Sequence, residues 1–157
     1  FYCVCMVTMR KTWIFVIAAL LALGVAGVFL GAAFFGHIPI GEPRLRVEFY
    51  PQPPWQVRPG DSLEVSIGVT NDAWFLAWAK DIRATVFVPE GFTISRTGTN
   101  ECELNFFTLH GGDGLGNVLI IRVSNNISLG NYTITIKVSG ENVAEKIFTP
   151  QVIVLAL

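Results

Sequence analysis

The 157-residue sequence has little charge and little histidine. Charged residues make up 15% of the chain, the formal net charge is −1, and there are two histidines. No basic cluster exists beyond Arg10-Lys11, so we predict no nucleic-acid partner. The sequence also contains no Ser-His-Asp grouping, no pair of histidine ligands and no carboxylate pair at an informative spacing. We therefore predict a protein without catalytic residues, metal site or cofactor, which excludes most enzyme classes.

Cysteine is scarce as well. Cys3, Cys5 and Cys102 match neither a zinc-binding nor a redox spacing. We predict that Cys102 is a small buried residue on a strand, with an intermolecular disulfide as the alternative. The thiols do not identify the cellular compartment.

Apolar residues, by contrast, are abundant at 52% of the chain. Residues 13–35, WIFVIAALLALGVAGVFLGAAFF, carry no charge. As a helix they would extend about 34 Å, enough to cross a hydrocarbon core of about 30 Å. Backbone groups in lipid must pair within the segment, which predicts an α-helix. The alternative is a signal peptide cleaved near residues 31–33, but its apolar region would be shorter.

The charges around this segment predict its orientation. Arg10 and Lys11 directly precede it, which favours a cytoplasmic N-terminus. We therefore divide the chain into a cytoplasmic flank (1–11, of which residues 1–8 are left out of the fold argument), a transmembrane helix (12–35), a linker (36–43) and an extracytoplasmic domain (44–157). This makes the chain a single-pass protein of the cell membrane, with the lipid bilayer as a partner.

Small residues recur on the predicted helix. Gly27 and Gly31 form a GxxxG motif, and Ala22 and Ala26 share the four-residue spacing. Small residues at this spacing let helices approach closely, which favours self-association through this face. The alternative interpretation is that these residues reflect only the ordinary composition of membrane helices.

After the linker the hydrophobic period changes to two. Alternating segments rich in Val, Ile, Thr and Phe occur at residues 44–50, 62–69, 81–88, 102–107, 117–123 and 131–138, and a last apolar run closes the chain. Turn residues separate them, as in Pro59-Gly60-Asp61. Seven to eight short strands predict an antiparallel β-sandwich, in which Tyr132 takes the place of a corner tyrosine whose hydroxyl bonds to the backbone.

Three stretches of this domain carry a resemblance to a known family. VRPGDSLEVSIGVTN, ATVFVPEGFTIS and LGNYTITIKVSG, within residues 57–140, resemble the Ig-like modules of the CARDB and NEW3 type. The resemblance implies an Ig-like fold on an archaeal or bacterial surface protein. It implies no activity, because one fold serves many functions.

Residues 71–81, NDAWFLAWAKD, here called the aromatic segment, place Trp74, Phe75, Leu76 and Trp78 in a predicted loop. If the first three strands run antiparallel, this loop lies at the same end of the domain as the linker. The eight-residue linker reaches at most about 26–29 Å. We therefore predict contact with a protein partner or the membrane interface, where tryptophan is favoured. The alternative is that these rings cap the domain's own core.

Two further motifs occur in the second half of the domain. The glycine-rich stretch 110–116 (HGGDGLG) is followed by a strand rather than a helix, which indicates a flexible hairpin loop rather than a phosphate site. A weak cation site at Asp113 is the alternative. Asn126 and Asn131 open N-x-S/T sequons, which predict a glycoprotein if this side is extracytoplasmic, with Asn126 preferred because of its loop.

Together these features predict a non-catalytic, membrane-anchored Ig-like protein. We expect an accessory or assembly subunit of a cell-envelope complex, or a surface interaction module, whose partners are other membrane or cell-surface subunits. One alternative is a pilin-like filament subunit with the N-terminal helix in the filament core. A carbohydrate-associated module is a third possibility, although no platform of exposed aromatic residues is evident in the sequence.

Overall fold

A computed structural model describes residues 41–74 and 76–156, which belong to one compact unit, Ile40–Leu157. These residues form an all-β sandwich. Its strands are β1 (Leu45–Tyr50), β2 (Trp55–Val57), β3 (Ser62–Asn71), β4 (Ala79–Phe87), β5 (Phe92–Ile94), β6 (Glu101–Leu109), β7 (Gly114–Val123), β8 (Gly130–Thr133), β9 (Thr135–Gly140), β10 (Val143–Phe148) and β11 (Gln151–Val154).

The strands form three sheets. The first has the order β1-β3-β7-β5, the second β10-β9-β4-β6, and the third β2-β11-β8. Paired strands run antiparallel except β2 and β11, which are parallel. The predicted all-β sandwich is therefore confirmed. One pair of strands is parallel, which the alternation of polar and apolar residues does not reveal.

The period-two pattern identifies the core correctly. Along β3, Leu63, Val65, Ile67 and Val69 are buried while the residues between them face outward. Side chains alternate across a strand, so one face of each strand can be apolar and the other polar. Facing residues of the second sheet, such as Leu104 and Phe106, complete the core.

The predicted count of seven to eight strands is too low, since the described residues contain eleven. The segment 131–138 is two strands, because the chain changes sheets at Ile134, whose amide bonds to the Pro150 carbonyl at 3.0 Å. The closing apolar run is likewise divided into β10 and β11. β2 and β5 are three residues long each, too short for alternation to detect.

The corner tyrosine is confirmed. The hydroxyl of Tyr132 donates to the carbonyl oxygen of Ser128 at 2.8 Å. Its ring packs edge-on against Phe92, with centroids 5.1 Å apart. This contact fixes the connection into β8.

The two ends of the sandwich differ in what they carry. β1 begins at Leu45, which pairs with Asn71 at the end of β3. We call this end proximal, because the chain enters the domain here. The connection to β4, residues 110–113 and the β9–β10 turn lie at the same end, whereas residues 58–61 and 124–128 lie at the opposite, distal end.

No helix within residues 41–74 and 76–156 is long and apolar enough to cross a membrane. The predicted transmembrane segment, with its packing residues Ala22, Ala26, Gly27 and Gly31, lies outside the described residues. Its structure, its orientation and its self-association therefore stay predictions.

Candidate functional site

Asn71 organises the proximal end. It is fully buried, and its side-chain oxygen accepts hydrogen bonds from the amides of Arg44 at 3.0 Å and Ala73 at 3.3 Å. Its side-chain nitrogen donates to the carbonyls of Ala77 at 2.7 Å and Leu109 at 3.1 Å. All four partners are backbone groups, so one side chain ties the start of β1 and the end of β6 to the aromatic segment. A buried amide is tolerated because its hydrogen bonds are made.

Backbone contacts fix the same region from the opposite side. The amide of Gly112 donates to the Asn71 carbonyl at 2.7 Å, and the amide of Asn71 donates to the Asp113 carbonyl at 2.8 Å. At Gly111, a Cβ atom would lie 1.8 Å from the carbonyl oxygen of Trp74. Only glycine permits this approach. Residues 110–113 therefore pack tightly against the aromatic segment.

This packing corrects the prediction of a flexible hairpin loop at 110–116. β6 and β7 lie in different sheets, so residues 110–113 cross between sheets rather than close a hairpin. Asp113 closes the turn, since its carboxylate accepts the His110 amide at 3.1 Å. Across the described residues, no group of three His, Cys, Asp or Glu side chains is arranged to hold a metal ion.

The aromatic residues have different environments. Trp74 is 72% exposed, next to the turn closed by the Ala77 amide and the Trp74 carbonyl at 2.8 Å. Leu76 and Trp78 are half-buried, and Trp78 packs against the His110 ring at 4.7 Å between centroids. Phe75 lies outside the described residues. The buried apolar residues among those described in the segment are Ala77 and Ala79, so alanines, not tryptophans, close this end of the core.

The β9–β10 turn holds the second half of the segment. The side chain of Asn142 donates to the Trp78 carbonyl at 2.7 Å and accepts the Lys80 amide at 2.9 Å. The aromatic segment is therefore bonded on both sides, by Asn71 and by Asn142. Its conformation is set by the domain itself.

An open cavity of about 420 Å³ lies beside Trp74. Its lining includes Gly41, Glu42, Arg44 and Asp72. Asp72 pairs with Arg46 at 3.0 Å, and Arg46 also reaches Glu48 at 3.3 Å. These charges are half-exposed, so each pair contributes at most about 1 kcal/mol to stability. The cavity therefore presents both charge signs next to an indole ring.

Phe107 is exposed, like Trp74 and Tyr50, and the sequence analysis missed it. It is 70% exposed and has φ 56°, in the left-handed region that bulky residues avoid. The β4–β6 register shifts at this point, where Phe107 pairs with Ile82. Cys102, Leu104 and Phe106 are buried, so alternation itself places Phe107 on the outer face; after the bulge Thr108 is exposed as well and Leu109 is buried. The signal in the sequence is the alternation of residues 102–107, which puts Phe106 on the buried face and Phe107 on the outer face.

The two sequons lie away from the aromatic segment. Asn126 occupies an exposed turn at the distal end, and Asn131 is exposed on β8, paired with Ile153. The expected loop position of Asn126 is confirmed, while the use of either sequon stays a prediction.

Cys102 is buried on β6, as predicted, and is a free thiol. Its sulfur donates to the Glu103 carbonyl at 3.6 Å. Burial raises the pKa of this thiol above its ordinary value, with a smaller opposing effect from Arg96. A raised pKa and a buried position make it unreactive.

No protein-family model and no curated protein matches the sequence. Solved structures do match. The CARDB domain of a Pyrococcus furiosus protein, solved in complex with di-metal ions, gives a TM-score of 0.53 at 16% identity and covers 77% of this chain and 96% of that domain. This likeness shows the fold alone.

Two larger proteins contain a partly similar region. A family 123 glycoside hydrolase from Clostridium perfringens gives a TM-score of 0.48 at 13% identity, covering 72% of this chain and 27% of the hydrolase. Alpha-2-macroglobulin from E. coli gives 0.49 at 16% identity, covering 71% and 6% respectively. This chain thus spans about a quarter of the hydrolase and a small part of the macroglobulin.

Proposed function

We propose that this chain, which has a CARDB-like β-sandwich fold, is a non-catalytic accessory or assembly subunit of a cell-envelope complex. In this proposal residues 12–35 anchor it in the membrane as a single-pass protein. The aromatic segment at the proximal end binds a neighbouring protein subunit. The fold gives no function by itself, so the proposal depends on this local site.

The observation that carries the proposal is an exposed tryptophan on a loop of fixed conformation. Trp74 is 72% exposed, while the buried side chain of Asn71 holds the backbone on either side of it, by accepting from the Ala73 amide and donating to the Ala77 carbonyl. A preorganised loop avoids the ordering cost of binding. Tryptophan is also enriched among the residues that dominate binding energy, because it buries a large apolar area and still offers an N–H donor.

The chain path supports a partner close to the membrane. The linker joins the domain at the proximal end, where β1 begins beside the aromatic segment. If residues 12–35 span the bilayer, an eight-residue linker keeps this end within about 30 Å of the membrane. Phe107 is a further apolar contact on the strand that ends at Leu109. A membrane-embedded neighbour, or the lipid interface, is within reach of both rings.

The metal ions of the Pyrococcus domain are not carried over to this chain. Its described residues offer no group of three His, Cys, Asp or Glu side chains for a metal. The proposal is therefore one of protein binding without a metal.

The test is co-purification of the full chain from its native membranes in mild detergent. Trp74→Ser removes the exposed indole, and Tyr50→Ser is the matched control because Tyr50 is 79% exposed at the other end of β1. We expect a co-purifying protein whose recovery falls at least about tenfold with Trp74→Ser, equivalent to about 1.4 kcal/mol, and is unchanged with Tyr50→Ser.

Other outcomes would contradict the proposal. Equal recovery of the co-purifying protein with both variants would show that the aromatic segment does not bind it. Absence of any protein partner, together with vesicle binding that Trp74→Ser abolishes, would assign the segment to lipid. Fibres in electron micrographs of the purified chain would favour the pilin-like alternative.

A further inference from the structure

The strand β7 has a neighbour along only part of one side. β3 pairs with it from Gly114 to Arg122, but β5 covers only residues 121–123. On the β5 side, residues 114–118 pair with no strand in the described part of the chain. We call residues 114–118 the open edge.

Every second residue of the open edge directs its backbone groups outward in the plane of the sheet. Val123 exchanges hydrogen bonds with Gly60 and Asp61 on the β3 side, at 3.2 and 3.0 Å, whereas the Ile120 carbonyl accepts the Ser95 amide on the β5 side at 2.9 Å. Direction alternates along an antiparallel strand. The amides and carbonyls of Gly114, Gly116 and Val118 therefore point away from β3, toward the open side.

The open edge contains no charged residue, whereas the other long edge strands of the two four-stranded sheets do. β1 carries Arg46 and Glu48, β10 carries Glu145 and Lys146, and β6 carries Glu101 and Glu103. Such charges discourage a second chain from pairing. The open edge reads Gly-Leu-Gly-Asn-Val, with Leu115 42% and Val118 58% exposed.

The side of the sandwich where β1 and β10 are the outer strands is closed. There the Lys146 ammonium donates to the Leu45 carbonyl at 2.6 Å, and Phe49 packs against Phe148 with centroids 5.8 Å apart. At the open edge, the Asn117 side chain donates to the Asn105 carbonyl of the second sheet at 3.2 Å. The β7 side of the sandwich is therefore the side on which a further strand can pair.

We propose that the open edge pairs antiparallel with the open edge of a second copy of this chain. Ile120 is excluded from the ladder because its carbonyl is already bonded to Ser95. The usable segment then runs from Gly114 to Val118, and its centre, Gly116, lies on the two-fold axis. This register joins the two first sheets into one continuous sheet through six main-chain hydrogen bonds.

The sequence of the open edge favours itself as the occupant. About Gly116, Val118 of one copy lies opposite Gly114 of the other, and directly opposed residues share one face of the sheet. Val118 of each copy therefore packs over Gly114 of the other copy, which has no side chain. Because the edge has no charge, two copies bring no like charges together.

The interface is small. Pairing of five residues per copy buries less surface than a standard stable interface, which buries about 1,600 Å². Because pairing through so small an interface is weak, we use a disulfide cross-link to detect the dimer. The full chain with Cys3→Ser and Cys5→Ser receives Gly116→Cys, while Cys102 remains because it is buried. A Cβ at Gly116 meets Ser66 at 3.6 Å, an ordinary contact, so folding should be retained.

In the proposed register the two Gly116 Cα atoms lie about 5.5 Å apart, within the range that a disulfide spans. The control is Ala144→Cys, because Ala144 is exposed on β10, an edge strand that carries charged residues. Mild oxidation in membranes should give at least about ten times more covalent dimer with Gly116→Cys. Association through the helices alone would favour neither position.

Val118→Lys, combined with Gly116→Cys, should reduce the covalent dimer at least about fivefold by placing a charge on the edge. Equal cross-linking at residues 116 and 144, or dimer that Val118→Lys does not reduce, would overturn the proposal. A covalent adduct between residue 116 and a different protein would also overturn it. None of these results depends on the partner proposed for Trp74, so the two proposals fail separately.

Discussion

The side-chain nitrogen of Asn71 donates to the carbonyl oxygen of Ala77 at 2.7 Å, across a loop that Asn71 itself begins. This bond closes the aromatic segment onto the end of β3. The same nitrogen reaches the Leu109 carbonyl, so the loop and the end of β6 share one donor. The exposed indole of Trp74 is presented by a loop that a fully buried amide organises.

Replacing Asn71 by alanine should destabilise the domain by about 3 kcal/mol. The substitution leaves the Ala77 and Leu109 carbonyls and the Arg44 amide without their partners, and an unsatisfied buried group costs about 1–3 kcal/mol. Denaturant unfolding followed by tryptophan fluorescence measures the free energy of unfolding. Asn105→Ala, at an exposed position on β6, should change it by less than about 0.5 kcal/mol. A loss below 1 kcal/mol for Asn71→Ala would argue against its organising role.

Gly111→Ala should disrupt the aromatic segment directly. The added Cβ would lie 1.8 Å from the Trp74 carbonyl oxygen, so the loop or residues 110–113 must move, at a cost of about 2 kcal/mol or more. Gly68→Ala is the control, since its Cβ would meet the Glu48 carbonyl at 3.8 Å, an ordinary contact. Thermal unfolding compares the two variants. Equal midpoints would show that the close approach at Gly111 is not required.

Phe107 should reveal its backbone strain through two substitutions that both remove the ring. Its φ of 56° is costly for alanine and tolerated by asparagine. Phe107→Asn should therefore be more stable than Phe107→Ala by about 1 kcal/mol. Chemical denaturation measures the difference. If the alanine variant is equally stable, the left-handed conformation does not persist in solution.

Cys102 should make stability depend on alkaline pH. Burial raises the pKa of its thiol in the folded state above its ordinary value of about 9, so the folded state favours the protonated thiol. This contribution to stability is complete below pH 9 and is lost as the pH rises through the folded-state pKa. As the pH rises above about 9, the free energy of unfolding should fall more steeply in the parent than in Cys102→Ala. Parallel curves would contradict this role for Cys102.

The sequence predicts the buried faces better than the sheet partners. Tyr132, Ile134, Ile136 and Val138 keep one uninterrupted alternation although the chain changes sheets at Ile134. The reason is physical: period two reports which face of a strand is buried, and burial continues through a corner of the sandwich. The division into β8 and β9 depends on hydrogen-bond partners far along the chain, such as the Pro150 carbonyl.

The candidate site was predictable only in part. Antiparallel order places the aromatic segment beside the start of β1, which the pairing of Leu45 with Asn71 confirms. The exposure of Trp74 and the burial of Ala77 were not predictable, because side chains in a loop have no period. Alternation along β6 places Phe107 on the outer face, whereas its left-handed backbone lies at a bulge in the β4–β6 register, which local sequence does not specify.

Photo-cross-linking in native membranes tests the proposed binding role of the aromatic segment most directly. A photoreactive phenylalanine analogue replaces Trp74 in the full chain, and the same analogue at Tyr50 serves as the comparison because both side chains are mostly exposed. We predict a discrete protein adduct from position 74 and none of that size from position 50. Equal adducts from the two positions, or only lipid adducts from position 74, would contradict a protein-binding role for the aromatic segment.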